Sequence, residues 1–120
     1  METPVNIKSK FNLFSDLWSP KVIAEMNNYQ FKLVKIKGDF IWHQHDTTDE
    51  VFIVLEGEMG IEFRNKTIKL VKDEMFVVKK GLEHKPFSKI GSKVLIIEPR
   101  GIINTGSSNN KLTAENDVWI

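Results

Sequence analysis

Three histidines occur in the chain, and two of them stand one residue apart in Trp42-His43-Gln44-His45. Glu50 follows five residues after His45, and His84 lies in Lys80-Gly81-Leu82-Glu83-His84-Lys85-Pro86. Imidazole nitrogens and carboxylate oxygens are the ligands that borderline divalent metals prefer. On an extended strand, side chains two apart point the same way, which brings His43 and His45 within reach of one ion. A hairpin return would set Glu50 beside them, and His84, following an apolar strand, can face the same interior. Each residue taken alone also has an ordinary reading. A His-x-His pair is commonly satisfied by hydrogen bonds, Glu50 after Asp46 and Asp49 reads as a solvated loop carboxylate, and His84 beside Pro86 reads as a turn residue. Their joint arrangement is what points to a metal. The chain has no cysteine, so disulfides, thiolate nucleophiles and cysteine-ligated metals are excluded.

Elements that could position these residues are short strands. Residues 28–99 alternate apolar runs with turn residues and show no long helical period, an all-β pattern. Strands are expected at 29–37, 40–45, 51–56, 58–64, 67–71, 75–78 and 93–98. Met59, Ile61 and Phe63 alternate with Glu58, Glu62 and Arg64, as on a half-buried strand. The pair Asn65-Lys66 is placed as a two-residue hairpin turn. Runs 51–55 and 75–78 are apolar on both faces, which suits a sheet with an apolar interior on one side and a second layer on the other. A short helix is expected within 11–18, an extra strand within 20–26, and an irregular tail from 101, with Val118-Trp119-Ile120 folded back onto the surface.

At 120 residues the chain fits one domain, expected to comprise an arm at 1–27, a motif core at 38–88 and a tail at 101–120. Seventeen basic against sixteen acidic residues leave a net charge of +1 with the signs interspersed, so no broad field exists to attract nucleic acid or anionic lipid. The first residues lack a signal-peptide pattern, and the longest apolar runs are about five residues against the ~20 of a spanning helix. A cytoplasmic protein with no membrane or nucleic-acid partner is therefore expected.

Residues Gly38 to Gly57 read glycine, four residues, His43-Gln-His45, four residues, Glu50, six residues, glycine. That run resembles the first motif of the cupins, which has five residues in the first gap. The family's second motif, glycine, five residues, proline, any residue, glycine, two residues, histidine, three residues, asparagine, keeps Gly81 and His84 here. Asp73, Lys79 and Ser88 stand at its glycine, proline and asparagine positions. Asp tolerates tight turns and Lys removes only a rigid φ, so no ligand position is touched. The broader resemblance, to stand-alone one-domain cupins, runs from about Trp18 to Gly106. It implies a double-stranded β-helix, or jelly-roll, barrel with a short N-terminal arm, and one divalent transition metal (Fe, Mn, Ni, Co, Cu or Zn) held by His43, His45, Glu50 and His84.

Three imidazoles and one carboxylate leave two positions open on an octahedral ion, for water, substrate or dioxygen. By resemblance, the ligand set is shared by dioxygenases, isomerases and plain binding proteins, so two readings stand. One is a metal-dependent enzyme of dioxygenase or isomerase type on a small organic substrate. The other is a non-catalytic small-molecule or sugar-binding protein. Phe52 and Val54 should share Glu50's side and make the lumen narrow and apolar. Phe40 and Trp42 are read as packing groups on the face away from the first histidine. Asp46, Asp49 and Glu83 are read as surface carboxylates, and no catalytic residue is assigned. An exposed edge strand predicts a homodimer through residues 20–37.

Overall fold

Period-two alternation governs the molecule. In the computed structural model, which describes residues 3–108 and 110–120, six strands form an antiparallel sheet closed into an all-β jelly roll. They are β1 (Lys21–Met26), β2 (Tyr29–Asp39), β3 (Glu50–Phe63), β4 (Lys66–Val71), β5 (Met75–Val78) and β6 (His84–Pro99). The order is β1-β2-β6-β3-β4, with β5 paired to the first half of β3. Val34 and Ile36 of β2, Phe52, Val54, Met59, Ile61 and Phe63 of β3, and Val94 and Ile96 of β6 turn inward as one buried cluster. Alternate residues turn outward, where Leu33, Phe31, Leu55 and Leu95 pack under a second layer made by Phe11, Phe14 and Ile120. The five-residue helix α1 (Ile7–Phe11) anchors that layer, capped by Asn6, whose Oδ1 accepts from Ser9 N at 2.8 Å.

Several expectations are corrected. The helix expected within 11–18 ends at Phe11, because Asn6 caps it five residues before that window begins. The strands at 51–56 and 58–64 are one strand, β3, bent rather than broken: its register on β6 shifts around Val54/Glu56 and Gly57/Gly60, with Gly57 at φ +77°. Strand 93–98 is the second half of β6, which starts at His84. Its polar stretch stays in the ladder because the Ser88 and Ser92 hydroxyls donate to Glu58 O (2.7 Å) and Glu56 O (3.0 Å). Residues 40–45 are no strand. Phe40 N donates to Pro86 O, and His43 and His84 exchange both backbone bonds, so three steps on one side span two on the other and no continuous ladder forms. The hairpin turn is Arg64-Asn65, closed by the pair Phe63↔Lys66, one residue earlier than expected. The strand within 20–26 and the fold-back of 118–120 are present: Val22 N donates to Val118 O and Ile120 N to Val22 O. Among the described residues no helix is long and apolar enough to cross a membrane.

Candidate metal centre

His84 opens β6 and Glu50 opens β3, so two of the four expected ligands are the first residues of neighbouring strands. The other two come from the irregular segment before β3, held to β6 by the reciprocal bonds His43 N to His84 O (3.0 Å) and His84 N to His43 O (2.9 Å). Those bonds stack two ligand residues across the strand boundary. Nδ1 of His43 lies 3.0 Å from Ile41 O, and Nδ1 of His84 lies 2.8 Å from Leu82 O. A carbonyl only accepts, so each Nδ1 carries the proton and each Nε2 keeps its lone pair for the interior.

All four side chains are buried, and one donor atom from each lies within 4.8 Å of the others. Glu50 Oε1 is 3.6 Å from His45 Nε2 and 3.7 Å from His84 Nε2. Among the described residues, none of these three atoms has a hydrogen-bond partner. A buried polar atom left unpaired costs about 1–3 kcal/mol, and these orphans face one another. Ligand bonds of ~2.0–2.2 Å place donor atoms ~3–4.4 Å apart around an ion, so the 3.6 and 3.7 Å separations and the donor set fit a divalent transition metal. The four side chains named from the sequence thus lie together around one point.

Electrostatics prepare the cluster for a cation. Burial, helped by the neighbouring His84, pushes His43 down to about 4, so its imidazole is neutral at pH 7. Burial alone would raise the Glu50 carboxyl, but the neighbouring His45 and His84 imidazoles and Glu98 outweigh it and hold Glu50 well below the usual carboxylate range. Glu98 is driven the other way, by burial and by Glu50 beside it, against the opposing pull of Lys32. The acidic residues near the motif point elsewhere: Asp46 takes Gln44 Nε2, Asp49 takes Lys80 N, and Glu83 takes Arg64 Nε.

His43 and Glu50 open onto a cavity whose free space is ≈ 450 Å³ including its solvent-open part, of which ≈ 40 Å³ admits the centre of a water molecule. Its walls are chiefly apolar, with Phe52 from β3 as expected. Phe40 also lines it, stacked on Trp18 at 4.8 Å and edge-on to His43 at 5.2 Å, so Phe40 faces the histidine rather than away from it. Trp42 does lie outside, under Arg64 at 3.7 Å. Sequence reading missed Glu98, Lys32, Trp18 and Asn104. For the first two a signal existed, since Lys32-x-Val34-x-Ile36 and Val94-x-Ile96-x-Glu98 each put a charge in step with an inward apolar row.

A jelly roll with three histidines and one glutamate gathered at its inner end defines a class of small β-barrels built around a candidate metal centre. The chain belongs to the cupin domain family, whose sequence profile matches residues 32–97. It is similar to a crystal structure of a cupin-2 domain containing protein from Shewanella frigidimarina: 58% identity, 80% of this chain and 94% of the other covered, TM-score 0.79. It is also similar to protein NMB1881 from Neisseria meningitidis, at 32% identity over 81% of this chain and 99% of the other, TM-score 0.75. An uncharacterized protein of Bacillus subtilis, YdbB, is 35% identical over 77 residues, 63% of this chain and 68% of its own length.

Proposed function

We propose that this cupin is a metal-dependent enzyme of dioxygenase or isomerase type acting on a small organic substrate. The observation that supports it is the convergence of four buried donor atoms within 4.8 Å, three of them unpaired, at the end of an apolar cavity. The ion would be held by His43, His45, Glu50 and His84, and when bound it supplies Lewis acidity toward a substrate oxygen, or dioxygen chemistry if it is iron or copper. The chain's own residues do the rest. Ile41 O and Leu82 O fix the imidazole tautomers, Phe40 and Phe52 exclude water from the ligands, and Trp18 stacked on Phe40 walls the entrance.

The test is elemental analysis of protein purified without a metal-affinity tag. We expect close to one transition-metal ion per chain, and at least a tenfold loss of affinity in His45→Ala, which keeps only three ligands. A wild-type protein that retains no metal after loading with Fe(II), Mn(II) or Zn(II) removes the proposal. Turnover of a substrate that stops on chelation distinguishes the enzyme from a binding protein, which would show ligand-induced stabilisation without product.

A further inference from the structure

His45 differs from the other three clustered ligands in what lies on its outer side. His43 and Glu50 open onto the apolar cavity and His84 is wholly enclosed, but His45 lines a separate cleft between residues 44–47 and the tail segment 101–107. In that cleft ≈ 290 Å³ admits the centre of a water molecule, against ≈ 40 Å³ in the cavity. Its tail wall is seated directly on the His-x-His segment, for a Cβ on Gly106 would overlap Gln44 O.

The ring is also the least supported of the three imidazoles. Ile41 O holds His43 Nδ1 and Leu82 O holds His84 Nδ1, whereas among the described residues no group accepts from Nδ1 of His45. A ligand histidine that lacks this outer hydrogen bond is free to turn, and losing such a partner weakens metal binding by about 10–100-fold. The backbone of His45 is fixed, since its carbonyl accepts from Gly81 N at 2.8 Å. Rotation of the side chain alone therefore carries the ring from the cluster toward the cleft.

We infer that a divalent metal enters and leaves the cluster on the His45 side, through this cleft, with His45 the last ligand to bind and the first to let go. The inference rests on the metal-centre reading above and concerns the path of the ion. A hydrated dication loses much of its solvation in an apolar passage, and the Trp18 and Phe40 rings stack along the cavity. The carboxylates of that cavity, Glu50 and Glu98, are buried within it and offer nothing to an ion still in solvent. The cleft keeps the ion wet. Apart from His45, Asp46 is the one ionisable residue that lines it, and a carboxylate there draws cations in. Gln44 Nε2 donates to Asp46 Oδ1 at 2.6 Å, which holds the carboxylate at the cleft wall.

The experiment is chemical rescue with zinc and imidazole. Zinc affinity is measured by competition with a chelating dye for wild type, His45→Gly and His84→Gly, each with and without excess imidazole. Truncating His45 opens its place to the cleft, so imidazole should restore about tenfold or more of the zinc affinity of His45→Gly, relative to its effect on wild type, and none of that of His84→Gly. A second measurement follows zinc uptake by the metal-free protein in a stopped-flow mixer. Asp46→Asn is expected to slow uptake about threefold or more at low salt and to weaken its salt dependence, and Ile103→Trp, which fills the cleft, to slow it at high salt as well. Both positions are exposed, so these variants read the route even where a glycine variant does not fold. Absence of rescue in folded His45→Gly, equal rescue of the two glycine variants, or unchanged uptake in Asp46→Asn and Ile103→Trp overturns the inference and leaves the metal centre standing. Failure of the wild type to load zinc removes the metal centre and this inference together.

Discussion

At the scale of single residues, the site has an acid sensitivity that precedes any chemistry. In the metal-free protein His43 titrates at about 4, held down first by burial and then by His84, whereas an unfolded histidine titrates near ~6.5. Between those values the unfolded chain binds a proton that the folded chain refuses. Stability is therefore complete above pH ~6.5, falls as pH drops through that value, and levels off below about 4. The gap corresponds to about 3 kcal/mol. Urea unfolding of metal-stripped protein from pH 4 to 8 should show this slope, and His43→Gln, which cannot titrate, should flatten it; equal slopes in the two proteins would refute the assignment. The four ligands were legible in sequence because histidine is scarce here and all three copies fall at spacings a strand or hairpin can join. Glu98 was missed although it keeps step with Val94 and Ile96, because a glutamate before Pro99 looks like an ordinary strand end. Only the register of β6 against β3 turns it toward Glu50.

At the scale of elements, the strands were legible wherever alternation is plain and misread wherever a strand bends. Glu56-Gly57 looks like a turn between two strands, yet β3 runs through it. Gly57 takes φ +77°, and a Cβ built there would overlap Gly91 O. Both the conformation and the close approach therefore demand glycine. Gly81, before His84, has a similar φ of +79°, but a Cβ there meets nothing within 4 Å. The two positions separate the contributions. Gly81→Ala should lose only the conformational share, ~1–2 kcal/mol, whereas Gly57→Ala adds a backbone clash and should lose about 3 kcal/mol or more. Chemical denaturation of the two variants checks the order, and equal losses would mean that β3 and β6 can separate at the bend at little cost. Residues 40–45 fail as a strand for a related reason. The extra residue opposite Pro86 breaks the ladder, while the bonds between His43 and His84 survive and still bring two imidazoles to one point.

For the whole molecule, the question is what covers the sheet edge at β1. The expectation of a homodimer through residues 20–37 assumed that this edge is bare, but Val22 is bonded on that side by Val118 and Ile120. Ile120 also packs against the outer cluster of Phe11, Ile23 and Leu33, and its carbonyl accepts from Lys10 Nζ at 2.8 Å. Residues 118–120 thus act as a short guard strand, and an edge so blunted resists pairing with another chain. Deleting them removes two backbone hydrogen bonds and one half-buried isoleucine, about 2–4 kcal/mol, or roughly 6–16 °C in Tm for a domain of this size. It also frees Val22 to pair. If the edge governs association, light scattering on a sizing column at micromolar concentration should show the shortened chain more dimeric than the full one. Should both chains dimerise equally, the contact lies on another face; should both stay monomeric, the edge drives no association and the homodimer expectation is removed.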